Sequence, residues 1–367
     1  MSNVFKAGLE GIVVSETEIS ILDTDLEKII IRGEDLIELS KTHSYLDVVH
    51  LLMEGTLSTD SQRIALEQML MQYQQVPTAV LDVLKMQHKN FHPMDAQRTG
   101  MSVLATYDED LDDRSKEANV KRAYMLLAQL PIITANAYHI LKEAPLIYPK
   151  EDLSYSANFL YMMTGEEPTE LEEEIFDKSL LLYSEHEMPN STFAARVIAS
   201  TNTDLYGALT GSVSSLKGNL HGGANEAVMY MLKEVTTADE FVALLKGKLA
   251  RKEKIMGFGH RVYMDRMDPR AFVMKEYLRT LCERDGDFSL LDMCEAGERL
   301  MAEEKGLYPN LDYYAAPVYW KLQIPIVLYT PIFFVSRSAG LCAHVIEQHN
   351  NNRIFRPRVR YVGNEYN

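Results

Sequence analysis

Three cysteines in 367 residues, Cys282, Cys294 and Cys342, are too few and too far apart for a disulfide framework or a zinc site. Reduced thiols in a cytoplasmic protein are what that odd, sparse set predicts. Positive charge is also short. Only 37 Lys and Arg stand against 53 Asp and Glu, a formal net charge of −16, which argues against broad binding to nucleic acid or to an anionic membrane. The start, MSNVFKAGLEG, has no apolar h-region, so no signal peptide is expected. Long apolar runs are scarce as well. Ala123 to Leu141 carries no formal charge and is long enough to span a bilayer, but Gln129, Pro131, Thr134, Asn136 and His139 are scattered through it. It reads as a helix buried inside the protein or in a subunit interface.

What is present is a chain 46% hydrophobic, long enough for about two domains. GIVVSETEISILD and KIIIRG near the N-terminus are β-branched and turn-bounded, and predict short strands. After Gly33 the apolar spacing turns helical. Ser44 and Asp47 form a capping-box-like start ahead of Val48, Val49, Leu51 and Leu52. Helical spacing continues through most of the chain, broken by Pro77, Pro93, Pro131, Pro145 and Pro168, with no internal repeat and no low-complexity linker. The expected fold class is all-α, mainly helical with short N-terminal β segments.

Five stretches carry chemistry-bearing side chains. In KGNLHGGANEAVMY, His221 precedes Gly222 and Gly223 and an apolar face of Ala224, Ala227, Val228, Met231, Leu232 and Val235. Two readings stand there: a capping or solvent-facing histidine, or an imidazole kept neutral by a helix N-terminus and able to donate to a carbonyl oxygen gaining charge. In RKEKIMGFGHRVYMDRMDPRA, Gly257 and Gly259 expose backbone amides before His260. Arg251, Lys252, Lys254, Arg261, Arg266 and Arg270 make a local basic excess that suits an anionic ligand or a solvated helix end. GFGHRV lacks the third glycine of a dinucleotide fingerprint. In SEHEMPNSTFAARV, His186 and Glu187 begin an H-E pair, but Asn190 stands where a zincin needs its second histidine, so no metal site is predicted. In GLYPNLDYYAAPVYW, Asp312 lies among aromatic and apolar residues: a base strengthened by burial, or a turn or cap aspartate. Arg337 opens an apolar helix, and Arg353, Arg356, Arg358 and Arg360 gather near the C-terminus, where the arginine fork suits a carboxylate or phosphate.

LHGGANE, GFGHRVY with DPR, PNLDYY, SEHE, VSR and FRPR, together with RGEDL and HPMDAQRTG, resemble the citrate synthase family across nearly the whole chain. The Met-Pro-Asn-Ser run after His186, PNLDYYAAPVYW and FRPRVRYVG are similar to the 2-methylcitrate synthases of Gram-positive bacteria within it. The resemblance implies a citrate synthase-like two-domain homodimer: a large domain of residues 1–224 and 318–367, and a small domain of residues 225–317 that closes over a cleft. It implies condensation of propionyl-CoA, or acetyl-CoA, with oxaloacetate, followed by thioester hydrolysis, with no metal and no cofactor, since the acyl-CoA is a substrate. Carried over residue by residue, Asp312 would abstract the α-proton, His221 would stabilise the enol, and His260 would polarise the ketone. His186, Arg270 and Arg337 would hold the carboxylates of oxaloacetate, and Arg356 would reach in from the partner subunit. Ile255, Met256, Gly257, Phe258 and Gly259 would contact the CoA adenine, with Arg251 and Lys254 toward its phosphates. From His260 to Arg270 the chain is one residue longer than the family's usual spacing, which makes Arg266 the substitute for Arg270. Ala315 and Ala316 stand where Ser-Gly is frequent, at positions that would shape the acyl pocket. The remaining alternatives are a citrate synthase that prefers acetyl-CoA and a non-catalytic acyl-CoA-binding protein on the same scaffold.

Overall fold

Helix boundaries in this chain are set largely by caps and prolines. In the computed structural model, which describes residues 5–9, 11–23, 26, 28–218, 220–259 and 266–364, Ser44 and Asp47 close the reciprocal capping box expected of them. Thr59 with Gln62, Thr169 with Glu172, and Thr237 with Glu240 do the same at three further helices. Among the described residues there are sixteen α-helices. Ten precede His221: α1 (Leu36–Thr42), α2 (Tyr45–Glu54), α3 (Asp60–Tyr73), α4 (Thr78–Lys85), α5 (Pro93–Leu104), α6 (Lys116–Leu141), α7 (Tyr155–Thr164), α8 (Glu170–Tyr183), α9 (Asn190–Ala199) and α10 (Leu205–Leu216). Six follow: α11 (Ala224–Leu232), α12 (Ala238–Ala250), α13 (Pro269–Asp285), α14 (Ser289–Lys305), α15 (Leu311–Lys321) and α16 (Tyr329–Asn350). The mainly helical class is as expected.

The N-terminal β segments form one antiparallel sheet, β1 (Ser20–Asp23), β2 (Lys28–Ile31) and β3 (Glu34–Asp35), in that order, with Ser20 opposite Ile31 and Asp23 opposite Lys28. Ile19, Ile29 and Ile31 turn inward and are fully buried, which docks the sheet on the helices.

Prolines behave as punctuation at four of the five expected positions. Pro77 precedes α4, Pro93 is the first residue of α5, and Pro145 and Pro168 lie outside helices. Pro131 does not break its helix: α6 runs through it for 26 residues. A proline removes the N–H that would bond the carbonyl four residues back, here Leu127. The Tyr155 hydroxyl donates to that Leu127 oxygen at 2.9 Å, so the freed acceptor is satisfied from α7. The rest of the 123–141 segment is buried, apart from a few half-buried positions, as expected of a core helix.

The packing centre is α16, buried without interruption from Tyr329 to Ile346 and packed against α2, α6, α8, α9 and α10. Ile326–Asn350 is long and apolar enough to cross a membrane, but 94% of its most apolar window is buried within the protein. Helices α11 to α15 pack chiefly on one another, and α11 also touches α16. Residue 317, where the small domain was expected to end, lies inside α15, which continues to Lys321.

The end of α8 approaches α16 closely at Gly340. A Cβ there would sit 2.0 Å from Glu185 Oε2 and 2.7 Å from the Ser184 carbonyl oxygen, a backbone atom that cannot swing away. Gly340→Ala therefore overpacks the junction and is expected to destabilise the protein by about 1–3 kcal/mol. Urea unfolding of the variant checks this, with the midpoint falling at unchanged slope.

Candidate active site

His221 lies in the tight turn between α10 and α11. Its N–H donates to the Gly218 carbonyl at 2.8 Å, and the Gly222 N–H donates to the Leu216 carbonyl at 2.9 Å. A Cβ at residue 222 would meet that carbonyl oxygen at 2.5 Å, so the turn requires glycine. The Ser191 N–H, at the start of α9, donates to His221 Nε2 at 3.3 Å, and Ser191 Oγ lies 2.8 Å from the same nitrogen. Nε2 is therefore the acceptor, and the proton of the neutral ring is assigned to Nδ1, which becomes the available donor. Burial, and then the nearby Arg337 guanidinium, push the His221 pKa down to about 4.

The neutral imidazole is thus present, but not for the reason the sequence suggested. The first residue of α11 is Ala224 and its cap is Gly223, so His221 stands outside the helix end. Desolvation and a like charge replace the helix dipole as the cause. The helix α11 ends at Leu232, so Val235 of the expected apolar face lies beyond it.

Asp312 is the second residue of α15. Its Oδ1 accepts from the Tyr183 hydroxyl at 2.6 Å. Burial raises its pKa to about 6, while the Tyr183 hydrogen bond, Arg270 and Arg337 hold it from rising further. His221 borders the Phe333 ring of α16 directly, and Asp312 is linked to the same ring through Tyr183. The Phe333 ring lies 4.7 Å from the Tyr183 ring and 6.4 Å, edge-on, from the His221 ring, centroid to centroid. The Arg337 guanidinium sits 4.8 Å over the same Phe333 ring, and its Nε donates to the Tyr183 carbonyl at 2.6 Å.

The candidate carboxylate-binding side chains, Arg337, Arg270 and His186, are all buried. Arg337 is buried, which pushes its pKa down to about 10 against the opposing pull of Glu185. Arg270 is buried at the start of α13 and grips Asp268 with both ends of its fork, Nη2 to Oδ2 at 2.7 Å and Nε to Oδ1 at 3.0 Å. Arg266, its substitute on the spacing argument, is exposed, whereas Arg270 lies close enough to Asp312 to lower its pKa. His186 is buried in the loop between α8 and α9, next to Glu185. Glu185 is fully buried, accepts from Ser20 Oγ at 2.8 Å and lies 3.2 Å from His344 Nε2.

The Ile255–Gly259 strip is laid along the chain that leads into Asp312. The Asn310 N–H donates to the Gly257 carbonyl at 2.9 Å, the Gly259 N–H to the Tyr308 carbonyl at 2.8 Å, and the Phe258 ring packs at a tilt against Tyr313, centroids 4.4 Å apart. Gly257 has φ +88° and its Cβ would lie 2.6 Å from Val228 Cγ2, so no other residue fits. Ile255 and Phe258 are buried and Met256 is half-buried. Arg251 and Lys254 are exposed, and Arg251 pairs with Glu253 at 2.5 Å. Ala315 and Ala316 are fully buried in α15.

His260 lies outside the described residues. Arg356 is exposed on the C-terminal segment, donates to the Pro357 carbonyl at 2.8 Å, and is not brought into this cluster within the chain. Among the described residues no group of three or more His, Cys, Asp or Glu could hold a metal ion. Sequence reasoning missed Tyr183, Phe333, Ser191 and Asp268. Phe333 stands one helical turn before Arg337, a spacing that places both on one face, and Tyr183 directly precedes the SEHE motif; either signal was available.

With this geometry in place, comparison with known proteins is specific. A family profile described as "Citrate synthase, C-terminal domain" matches residues 8–358. A citrate synthase of Heyndrickxia coagulans is 64% identical over 362 residues, which cover 99% of this chain and 97% of that protein. A citrate/2-methylcitrate synthase of Bacillus subtilis (strain 168) is 63% identical over 362 residues, with the same coverage of 99% and 97%. Among solved structures, the ternary complex of citrate synthase from Thermoplasma acidophilum with carboxymethyl coenzyme A and oxaloacetate matches with a TM-score of 0.92 at 26% identity, covering 98% of this chain and 96% of that one.

A pKa near 4 keeps His221 uncharged throughout the neutral range. In NMR titration of histidine-labelled protein, with the resonance assigned through His221→Asn, its ring signal is expected to hold its neutral position from pH 8 down to about pH 5. A midpoint near the ordinary histidine value would contradict the burial argument.

Proposed function

Because the chain belongs to the citrate synthase family and condenses an acyl-CoA with oxaloacetate, we propose that propionyl-CoA is its preferred donor and that the residues around Phe333 divide the work. The observation that carries this division is that Phe333 borders both the neutral Nδ1–H donor, His221, and Tyr183, whose hydroxyl holds the base strengthened by burial, Asp312, with the Arg337 guanidinium over the same ring.

Arg337, Arg270 and His186 hold the carboxylates of oxaloacetate. The Arg270 fork is already matched to Asp268, so its planar face arrives oriented. The Asp312 carboxylate removes a proton from the acyl α-carbon, and His221 donates its Nδ1–H to the thioester oxygen as that oxygen gains charge. A neutral donor stays matched to an enol-like species, whereas an imidazolium would give up its proton. The α-carbon attacks the ketone carbon of oxaloacetate, and His260, a role carried by the family motif, polarises that ketone and protonates the alkoxide. Water then hydrolyses the thioester, releasing CoA thiol and 2-methylcitrate, or citrate from acetyl-CoA.

The strip from Ile255 to Gly259 suits the adenine end of CoA, with Arg251 and Lys254 at its exposed edge. Its hydrogen bonds to Tyr308 and Asn310 tie that binding surface to the base two residues on. Residues 225–317 act as the smaller domain that closes over the cleft. The enzyme works in the cytoplasm as a homodimer, in which Arg356 of one copy completes the oxaloacetate site of the other. This explains an arginine that is exposed and away from the cluster within a single chain.

The preference for propionyl-CoA rests on the likeness of the SEHEMPNS, PNLDYYAAPVYW and FRPRVRYVG segments to methylcitrate synthases and on the Bacillus subtilis relative named for both products. A second reading, acetyl-CoA preference, has in its favour the Heyndrickxia coagulans relative named citrate synthase. One methylene in an apolar pocket separates substrates by only about 10- to 200-fold, so both thioesters are expected to turn over. Measuring kcat/KM from free-thiol release with each thioester and oxaloacetate decides between the readings. A higher value for propionyl-CoA is expected, and a strong preference for acetyl-CoA would reverse the assignment.

A further inference from the structure

Tyr183 touches three parts of the site at once, Asp312, Arg337 and Phe333. It is the last residue of α8, and its side chain is 2% exposed. Its hydroxyl meets Asp312 Oδ1 at 2.6 Å, its carbonyl accepts from Arg337 Nε at 2.6 Å, and its ring packs 4.7 Å from Phe333, the ring shared with His221 and Arg337. Nothing else hydrogen-bonds the Asp312 carboxylate among the described residues.

We propose that Tyr183 is the positioning residue of the base, its hydroxyl holding Oδ1 of Asp312 so that Oδ2 is the oxygen presented to the acyl α-carbon. The assignment rests on Asp312 being the base. A carboxylate on a single χ1–χ2 stem can rotate, and one short hydrogen bond to one oxygen removes that freedom. The direction of the bond is fixed. Tyr183 remains a phenol across the working range because its buried surroundings and the Asp312 charge push its pKa far up, so it donates and the carboxylate accepts. The amide of Asn225 lies beside the same hydroxyl with its buried Nδ2 otherwise without a hydrogen-bond partner, a donor that favours the same orientation.

A donor to the carboxylate favours its charged form, so the same bond keeps the buried acid ionised at neutral pH. The other charged and titratable groups facing Asp312 are Arg270 and Asp268 at the start of α13, Arg337 on α16 and Tyr319 on α15. The two arginines act in the same direction as Tyr183, and Asp268 acts against them. Tyr183 is the one that acts through a hydrogen bond, so its removal alters both the acidity and the aim of the base while leaving the arginine charges in place.

The test is Tyr183→Phe in the full chain, with oxaloacetate affinity by calorimetry and the pH profile of kcat/KM for the acyl-CoA. The acid limb is expected to move up by about one pH unit and the plateau to fall, with oxaloacetate affinity unchanged. A merely structural role would lower the plateau and leave the limb where it was, and that result overturns the proposal. Asp312→Asn is run beside it: if that variant keeps near wild-type turnover, the base itself is misassigned, a failure distinct from that of Tyr183. Should Tyr183→Phe not fold, the limb is read in wild-type protein carrying 3-fluorotyrosine. Its more acidic hydroxyls hold the carboxylate more strongly and move the limb down; an unmoved limb overturns the proposal.

Discussion

Burial disfavours the charged form of an ionisable group whatever the sign of that charge, and the site around Phe333 uses this twice in opposite senses. At Asp312 it weakens the acid and so strengthens the conjugate base, raising the pKa to about 6. At His221 it removes the proton that would make the ring a cation, lowering the pKa to about 4. Above about pH 6 both groups are in the states that enolisation needs, since carboxylate and neutral imidazole then both predominate. The stability consequences run opposite ways. His221 resists protonation when folded, so stability is lost as pH falls from the ordinary histidine value of 6.5 toward 4. Asp312 holds its proton more firmly when folded, so stability is lost as pH rises from the ordinary value of 3.8 through 6. A fold selected for stability alone would not keep that carboxylate there.

The rest of the architecture serves this desolvated junction. Helix α16 supplies Phe333 and Arg337 from one face and runs through the core, so neither can shift without disturbing several neighbours. Gly340 on the same helix lets the end of α8 come within backbone contact, which fixes Tyr183, Glu185 and His186 at once. Behind them the buried Glu185 joins Ser20 of the sheet to His344 of α16, and Arg196 of α9 reaches His344 and Glu347. This polar seam gives the small N-terminal sheet a role: it bonds the loop that carries His186. From the other side, Pro309 and Asn310 bind together the glycine strip, the Asp268–Arg270 pair and the base.

Much of this was legible as pattern and little of it as physics. The capping box at Ser44, the short strands and the helical class followed from local spacing. The order of six motifs pointed to the family that the comparisons establish. Pro131 was misleading because sequence alone does not show that Tyr155, distant in the chain, satisfies the carbonyl a proline orphans. The neutrality of His221 was inferred from a helix end that lies three residues further on; its cause, burial beside Arg337, depends on tertiary contacts between α9, the turn and α16. Asp312 was legible as a candidate because aromatic neighbours in sequence signal a dry site, but its hydrogen bond comes from Tyr183, 129 residues away. Phe333 was hidden by its ordinariness, since a phenylalanine in an apolar helix reads as core until the groups around its ring are known.

The claim at the centre is that Asp312 removes an α-proton from the acyl group while His221 stabilises the product of that removal. Isotope exchange reads this step without condensation. The protein is incubated in D₂O with propionyl-CoA and a dicarboxylate in which the ketone of oxaloacetate is reduced to an alcohol, so that the site fills but no carbon–carbon bond can form. Deuterium is expected to enter the α-carbon, with an acid limb near pH 6, and to stop entering in Asp312→Asn. Exchange that persists undiminished in that variant would contradict the account.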